Sequence, residues 1–304
     1  MPTRERSTDP RVFPLIDVGR EELAELIGEP IAKLEPVDGG LTNTIHKVTL
    51  TNAQVLVVKH HAGGEQPYAD EVATINKLAG ILPVPEIVRT DPVRRAIVYR
   101  WIEGITLDEC RRKQPAAAFA SLAEPLGRFL AWLATFDWPG SWDVMPFVAG
   151  ADKRLATRRA RERLGPQMAD ALRKALDAAA PRLGWGKPCL SHGDLGGRNM
   201  IVQHAMGERW RIGGVIDWEA ATCASPLVDI GSLFRYTSRY DARFVADFER
   251  GYREADGALP DDWLRTARLV DALWLVEMLD EPRELPGVYA DCRMLVAKLV
   301  ADLS

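Results

Sequence analysis

Hydrophobic and polar positions alternate with two different periods along the chain, and the change falls near residue 103. Before it, short runs with a two-residue period dominate: "IAKLEPV", "TNTIHKVTL", "AQVLVVKHH" and "RRAIVYRWI". Turn-forming residues join them, Asp38-Gly39-Gly40 and Thr51-Asn52-Ala53, as antiparallel hairpins require. One helix, expected over Pro67 to Leu78, interrupts these strands. After residue 103 apolar residues recur every three or four positions, as in Phe119, Leu122, Leu126, Phe129 and Leu133, and again in Leu269, Leu273, Val276 and Leu279. A single hairpin, around residues 199–217, sits inside this helical half. The pattern predicts an α+β protein with a β-rich lobe over residues 20–102 and a larger helical lobe over 103–304.

Composition narrows the classes of function. The 304 residues are 47% hydrophobic and 27% charged, enough for two cores, or for one core and an elaborate cap. A formal net charge of -4 gives no basic field for nucleic acid. The four cysteines, Cys110, Cys189, Cys223 and Cys292, form no C-x-x-C pair and are expected to be reduced thiols. The charged opening residues lack the apolar centre of a secretion signal, and no apolar run reaches the roughly 18 residues of a membrane span. A cytoplasmic protein without a membrane or nucleic-acid partner is expected.

Two polar stretches beside strands carry the chemistry. "CLSHGDLGGRNMIV", Cys189 to Val202, and "RWRIGGVIDWE", Arg209 to Glu219, both alternate like strands. A hairpin centred near Gly207 and Glu208 sets Asn199 opposite Asp217 at its open end, and Asp194 lies on the preceding loop. Turn hydrogen bonds alone explain either Asp194 or Asn199. An amide oxygen and a carboxylate converging at one hairpin mouth suit a hard cation such as Mg²⁺, with phosphate oxygens as its remaining ligands. His192, just before the loop, fits a structural hydrogen bond better than catalysis.

A second pair lies upstream. Lys59 continues the strand face of Val55 and Val57, and Glu71 interrupts the helical stripe of Tyr68, Ile75 and Leu78. Lys59 alone reads as an edge lysine that reaches water. A carboxylate on an apolar face is costly without a partner, and Lys59 is the expected one. Gly39 and Gly40 form a turn that can bring N–H groups to a phosphate, or that is simply a turn.

In this order the pieces resemble the aminoglycoside phosphotransferase and choline kinase-like family, relatives of the protein kinases. "HGDLGGRN" is similar to the catalytic loop, with Gly193 where protein kinases usually have Arg, and "VIDWE" to the metal-binding segment. "SPLVDIGSLFRY" looks like the helix that follows, where Asp229 supports the loop. The resemblance runs from about residue 30 to 240 and implies a protein kinase-like two-lobe fold. It also implies transfer of the γ-phosphoryl group of ATP or GTP to a hydroxyl. Asp194 would be the base or hydroxyl-orienting group, and Asn199 and Asp217 the Mg²⁺ ligands. Lys59, held by Glu71, would contact the nucleotide phosphates beneath Gly39, Gly40 and Thr42, and Tyr99, Arg100, Trp101 and Ile102 would form the hinge that binds the base. The acceptor would be a small molecule: an aminoglycoside or other antibiotic, or a metabolite alcohol such as choline or homoserine. A pseudokinase is the alternative, disfavoured by the complete residue set. A metallophosphoesterase is disfavoured by five scattered histidines and no G-N-H-[DE] segment.

By the same resemblance acids bind the ammonium groups of polyamine acceptors, which points to Asp271, Glu277, Asp280 and Glu281. Six basic residues and one acid fill 153–163, with Arg154, Arg158 and Arg161 expected on one helical face. That face is either a solvated surface or an anion-binding one.

Overall fold

The computed structural model describes residues 13–37, 42–205 and 209–302. Up to Trp101 the described residues, with Glu284–Val288, form one compact unit. Ile102–Arg283 and the described residues from Tyr289 onward form a second.

The first unit is a five-stranded antiparallel sheet with two helices. Helix α1 (Arg20–Ile27) leads into β1 (Ile31–Pro36), β2 (Thr44–Leu50) and β3 (Val55–His60), then α2 (Glu65–Leu78), β4 (Ile87–Asp91) and β5 (Ala96–Arg100). The strand order is β1-β2-β3-β5-β4. Leu56 and Val58 point to the face where Leu23, Leu26 and Ile27 of α1 form the core with Val48, Leu50 and Val98. By the two-residue period Lys59 leaves the opposite face, and the register sets it between Ile45 of β2 and Ile97 of β5. Helix α2 starts two residues before the expected Pro67, and its buried positions include Tyr68, Glu71, Ile75 and Leu78, the expected stripe.

The second unit begins with β6 (Ile105–Thr106) and the helices α3 (Leu107–Lys113), α4 (Ala116–Ala120), α5 (Ala123–Leu133), α6 (Met145–Leu155), α7 (Arg158–Leu164) and α8 (Pro166–Leu183). Strands β7 (Cys189–Ser191), β8 (Met200–Ala205), β9 (Arg209–Val215) and β10 (Thr222–Ala224) follow. The helices α9 (Leu227–Leu233), α10 (Ala242–Glu254), α11 (Trp263–Asp280) and α12 (Pro286–Ala301), whose first three residues belong to the first unit, follow. The strands form two small sheets, β6-β8-β9 and β7-β10.

Three expectations need correction here. The stripe from Phe119 to Leu133 is buried but divided between α4 and α5. Arg154 does not share a helix with Arg158 and Arg161, because α6 ends at Leu155 and the Thr157 side chain caps α7 by accepting the Ala160 N–H. The hairpin register also differs. Met200 faces Val215 and Ile201 faces Gly214, but Val202 faces Ile212, so Gly213 bulges out of the ladder. Asn199 consequently meets Ile216, whose N–H donates to its carbonyl at 2.9 Å, and Asp217 lies one residue beyond the pairing.

Helices α9 and α11 cross closely enough that a Cβ on Gly231 would lie 2.3 Å from the Ala267 carbonyl oxygen. That approach places Asp271, one turn after Ala267, beside the C-terminal end of α9.

Candidate active site

Strand β7 ends at Ser191, and the chain turns at once. Gly193 has φ +83°, and a Cβ there would sit 2.4 Å from the Ala220 carbonyl oxygen, so glycine is required on both counts. A larger residue at this point, such as the arginine usual in protein kinases, does not fit this backbone. The Asp194 carbonyl accepts the Gly196 N–H at 2.8 Å, the Gly196 carbonyl accepts the Asn199 N–H at 2.9 Å, and fully buried Leu195 anchors the loop from within.

Buried Asp229 of α9 sets the conformation of the turn. Its carboxylate accepts the His192 N–H at 2.8 Å and the Gly193 N–H at 3.0 Å. Burial pushes this carboxyl up, and these bonds together with the Ser191 hydroxyl offset part of the rise. His192 clips the two polar stretches together. Its Nε2–H donates to the Ile216 carbonyl at 2.9 Å, and Nδ1 accepts the Asp194 N–H at 3.3 Å. Both ring nitrogens are therefore engaged, the structural role expected from the sequence. The ring packs against buried Trp218 at 4.6 Å, and Trp218 Nε1–H donates to the Val215 carbonyl at 2.8 Å. Asp217 precedes this anchor with φ 72° and ψ 55°, a left-handed conformation uncommon for a residue with a side chain.

Asn199 Nδ2 donates to the Asp194 backbone carbonyl at 2.8 Å and to its Oδ2 at 3.3 Å. These acceptors take only the amide nitrogen, so the amide oxygen is the atom left for another partner. An amide oxygen and the Asp217 carboxylate on adjoining backbone are the hard donors that Mg²⁺ takes, so the residues fit the ion.

Asp194 itself is flanked by guanidinium groups. Arg198 Nη2 donates to Oδ2 at 2.7 Å, and Arg235 Nη1 lies 3.6 Å from Oδ1. Neither arginine was assigned a role from the sequence. Arg198 was visible in the loop, but Arg235 lies beyond a helix end and 41 residues from Asp194, with no local pattern to mark it.

In the first unit Lys59 Nζ donates to Glu71 Oε2 at 2.6 Å, with both side chains buried. His61 Nε2, another partner the sequence did not reveal, lies 3.0 Å from the same oxygen. Burial pushes the Glu71 carboxyl up, but Lys59 and then His61 outweigh it and hold the carboxyl below the ordinary range. Gly39 and Gly40 lie outside the described residues, and Thr42 is half-buried at the entrance to β2. Tyr99 is buried, and exposed Arg100 pairs with Glu86 at 2.8 Å. The N–H groups of Arg100 and Trp101 donate to the carbonyls of Glu86 and Val55, at 2.9 and 3.1 Å, and are thus committed to neighbouring backbone. Lys47 Nζ lies 3.8 Å over the Trp101 ring. Ile102 opens the second unit, half-buried and against Gly214.

The acids expected to receive an ammonium group are otherwise engaged. Asp271 is buried and clamped by Arg235, at 2.8 Å from Nη2 and 3.0 Å from Nε. Glu277 pairs with Arg154 at 3.3 Å, and Asp280 accepts the Thr157 hydroxyl at 2.8 Å and faces Arg159 at 3.3 Å. Glu281 pairs with Arg283 at 2.8 Å. Arg163 donates to the carbonyls of Leu279 and Glu281 at 3.0 and 2.6 Å. The basic stretch and the acidic end of α11 are largely each other's partners.

The buried Lys59–Glu71 pair gives a direct test. Glu71→Gln removes one charge and strands the other, an expected loss of about 3–5 kcal/mol in denaturant unfolding at neutral pH. Because the folded carboxyl lies below its unfolded value, its contribution is complete above the ordinary carboxylate range and fades as pH falls through the lowered value. The gap between wild type and Glu71→Gln should therefore narrow below about pH 4. Equal unfolding midpoints at pH 7 would contradict this role for the pair.

A sequence model described as the phosphotransferase enzyme family matches residues 33–269. No curated protein sequence matches the chain significantly. Among solved structures, the GDP complex of a mutant aminoglycoside 2'-phosphotransferase-IIIa is 17% identical with a TM-score of 0.69, covering 94% of this chain and 96% of that one. The choline kinase LicA from Streptococcus pneumoniae is 16% identical with a TM-score of 0.66, covering 93% and 97%. The macrolide 2'-phosphotransferase MphH from Brachybacterium faecium is 19% identical with a TM-score of 0.66, covering 92% and 95%. These likenesses give the fold, the α+β protein kinase-like one expected from the sequence. With most of its length matched by the family model, the chain belongs to the phosphotransferase enzyme family.

Proposed function

We propose that the protein transfers the γ-phosphoryl group of ATP or GTP to a hydroxyl of a small molecule, with Asp194 orienting that hydroxyl. The observation that carries this reading is the division of the Asp194 carboxylate. Oδ2 receives Arg198 and Asn199, whereas among the described residues Oδ1 has only Arg235, at 3.6 Å and beyond hydrogen-bond reach. Oδ1 is thus the oxygen suited to accept an acceptor O–H. In the step, the acceptor oxygen bonds to the γ-phosphorus and its proton passes to Asp194. The bond from the γ-phosphorus to the β,γ-bridging oxygen breaks, and the nucleoside diphosphate leaves with that electron pair.

Asn199 and Asp217 would hold Mg²⁺, which when bound neutralises phosphate charge. Lys59, fixed by Glu71, would contact the nucleotide phosphates, with Gly39, Gly40 and Thr42 covering them. Tyr99 to Ile102 would bind the base through groups other than the Arg100 and Trp101 N–H, which the Glu86 and Val55 carbonyls accept. A nucleotide co-substrate is also in keeping with the GDP bound by the aminoglycoside 2'-phosphotransferase-IIIa relative. The engagement of Asp271, Glu277, Asp280 and Glu281 favours an acceptor that does not depend on several ammonium groups. Within the proposed range this means a metabolite alcohol or a weakly charged antibiotic.

The test is nucleotide consumption, with ATP and GTP, over aminoglycosides, macrolides, choline, homoserine and uncharged polyols. Asp194→Asn is expected to lower turnover at least about 100-fold with nucleotide affinity retained. Normal turnover in that variant would remove Asp194 from the reaction. Asp217→Ala is expected to abolish Mg²⁺-dependent nucleotide binding in calorimetric titration, and unchanged affinity would rule out its metal role.

A further inference from the structure

Arg235 lies two residues beyond α9, the helix whose Asp229 holds the backbone before Asp194. Its side chain is only 11% exposed. Nε and Nη2 grip the two oxygens of Asp271 in a forked pair at 2.8 to 3.1 Å, while Nη1 reaches toward Asp194 Oδ1. Its Cζ lies 4.4 Å from the centre of the Trp274 ring. One edge of the guanidinium is thus fixed by Asp271 and one face by Trp274, both of α11, and Nη1 is aimed at the oxygen that no other described residue engages. The close crossing at Gly231 is what brings Asp271 within reach.

We propose that Arg235 is a positioning residue for Asp194: clamped by Asp271 and packed on Trp274, it fixes Oδ1 in the orientation that receives the acceptor hydroxyl. This rests on the role proposed above for Asp194. At 3.6 Å the guanidinium attracts Oδ1 without occupying it, so the carboxylate is held at both oxygens and one remains open to a new hydrogen bond. A planar fork suits this task and an ammonium does not, because only the fork presents three sides at fixed angles. Asp271, expected to meet the acceptor, thereby acts at one remove through the arginine it orients.

A double-mutant cycle between Arg235 and Asp194 tests the proposal, read as nucleotide turnover with the best acceptor of the panel and, in parallel, with water as acceptor. Arg235→Lys keeps the charge and loses the fork. It is expected to lower kcat about 10- to 100-fold while nucleotide KM and melting temperature stay near wild type. In the Asp194→Asn background the same substitution is expected to cost nothing further, since it acts through the carboxylate already removed. An equal loss in both backgrounds would overturn the proposal, because a general disturbance of the fold lowers both. Unchanged kcat for Arg235→Lys alone would overturn it as well. Normal turnover of Asp194→Asn would instead defeat the role of Asp194, and with it this one. Asp271→Asn, which keeps the shape of the clamp and removes its charge, enters the same cycle if Arg235→Lys does not fold.

Discussion

The carboxylate of Asp229 accepts two successive backbone N–H groups, those of His192 and Gly193, and the geometry around Asp194 depends on that pair. A buried carboxylate in a protein interior is costly, and bonds to a charged acceptor are each worth about 1.5–3 kcal/mol. The cost is offset only while the loop keeps the one conformation that presents both donors. Gly193 makes that conformation accessible by its positive φ, and Ala220 leaves no room for another residue. His192 then transmits the constraint to Ile216 and so to Asp217. A short chain of buried contacts thus fixes three polar side chains, two of them in different strand–loop segments.

The electrostatics of the helical unit follow one pattern: acids and arginines neutralise each other in pairs, and the pairs differ in burial. Those of Glu277 with Arg154 and Asp280 with Arg159 are exposed or half-exposed, worth about 0–1 kcal/mol, and orient little. The pair of Asp271 with Arg235 is buried and forked, and breaking it strands a charge. Only the buried pair has the rigidity to position a neighbour.

Much of this was legible in the sequence because it rests on local periodicity. The two-residue period put Asn199 and Asp217 at one hairpin mouth, and the helical period put Glu71 on the buried stripe of α2, where Lys59 is its partner. What was not legible depends on events without a periodic signal. The bulge at Gly213 shifts the register by one between Ala205–Arg209 and Met200–Val215, which brings Asn199 to Ile216 rather than Val215 and leaves Asp217 one residue beyond, and a threonine cap at Thr157 divides a basic run into two helices. Nothing near Arg235 or Asp271 in the chain marks them as partners, since their contact is set by how closely α9 crosses α11. Three of the four acids expected to bind an ammonium group share the same cause: their charges are visible, but the arginines that engage Asp271, Glu277 and Asp280 lie 36 to 123 residues away, whereas Glu281 pairs with nearby Arg283.

The central claim is that α9 holds the loop so that Asp194 can work, and Asp229→Asn addresses it most directly. An asparagine keeps the size of the side chain but has a single acceptor oxygen for two N–H groups, and its own NH₂ opposes the second. Turnover and Mg-nucleotide affinity should be measured on the same folded preparation. The account predicts a kcat lowered by at least about 10-fold, with Mg-nucleotide affinity weakened as well because the same contacts hold Asp217. Wild-type turnover in that variant would contradict it.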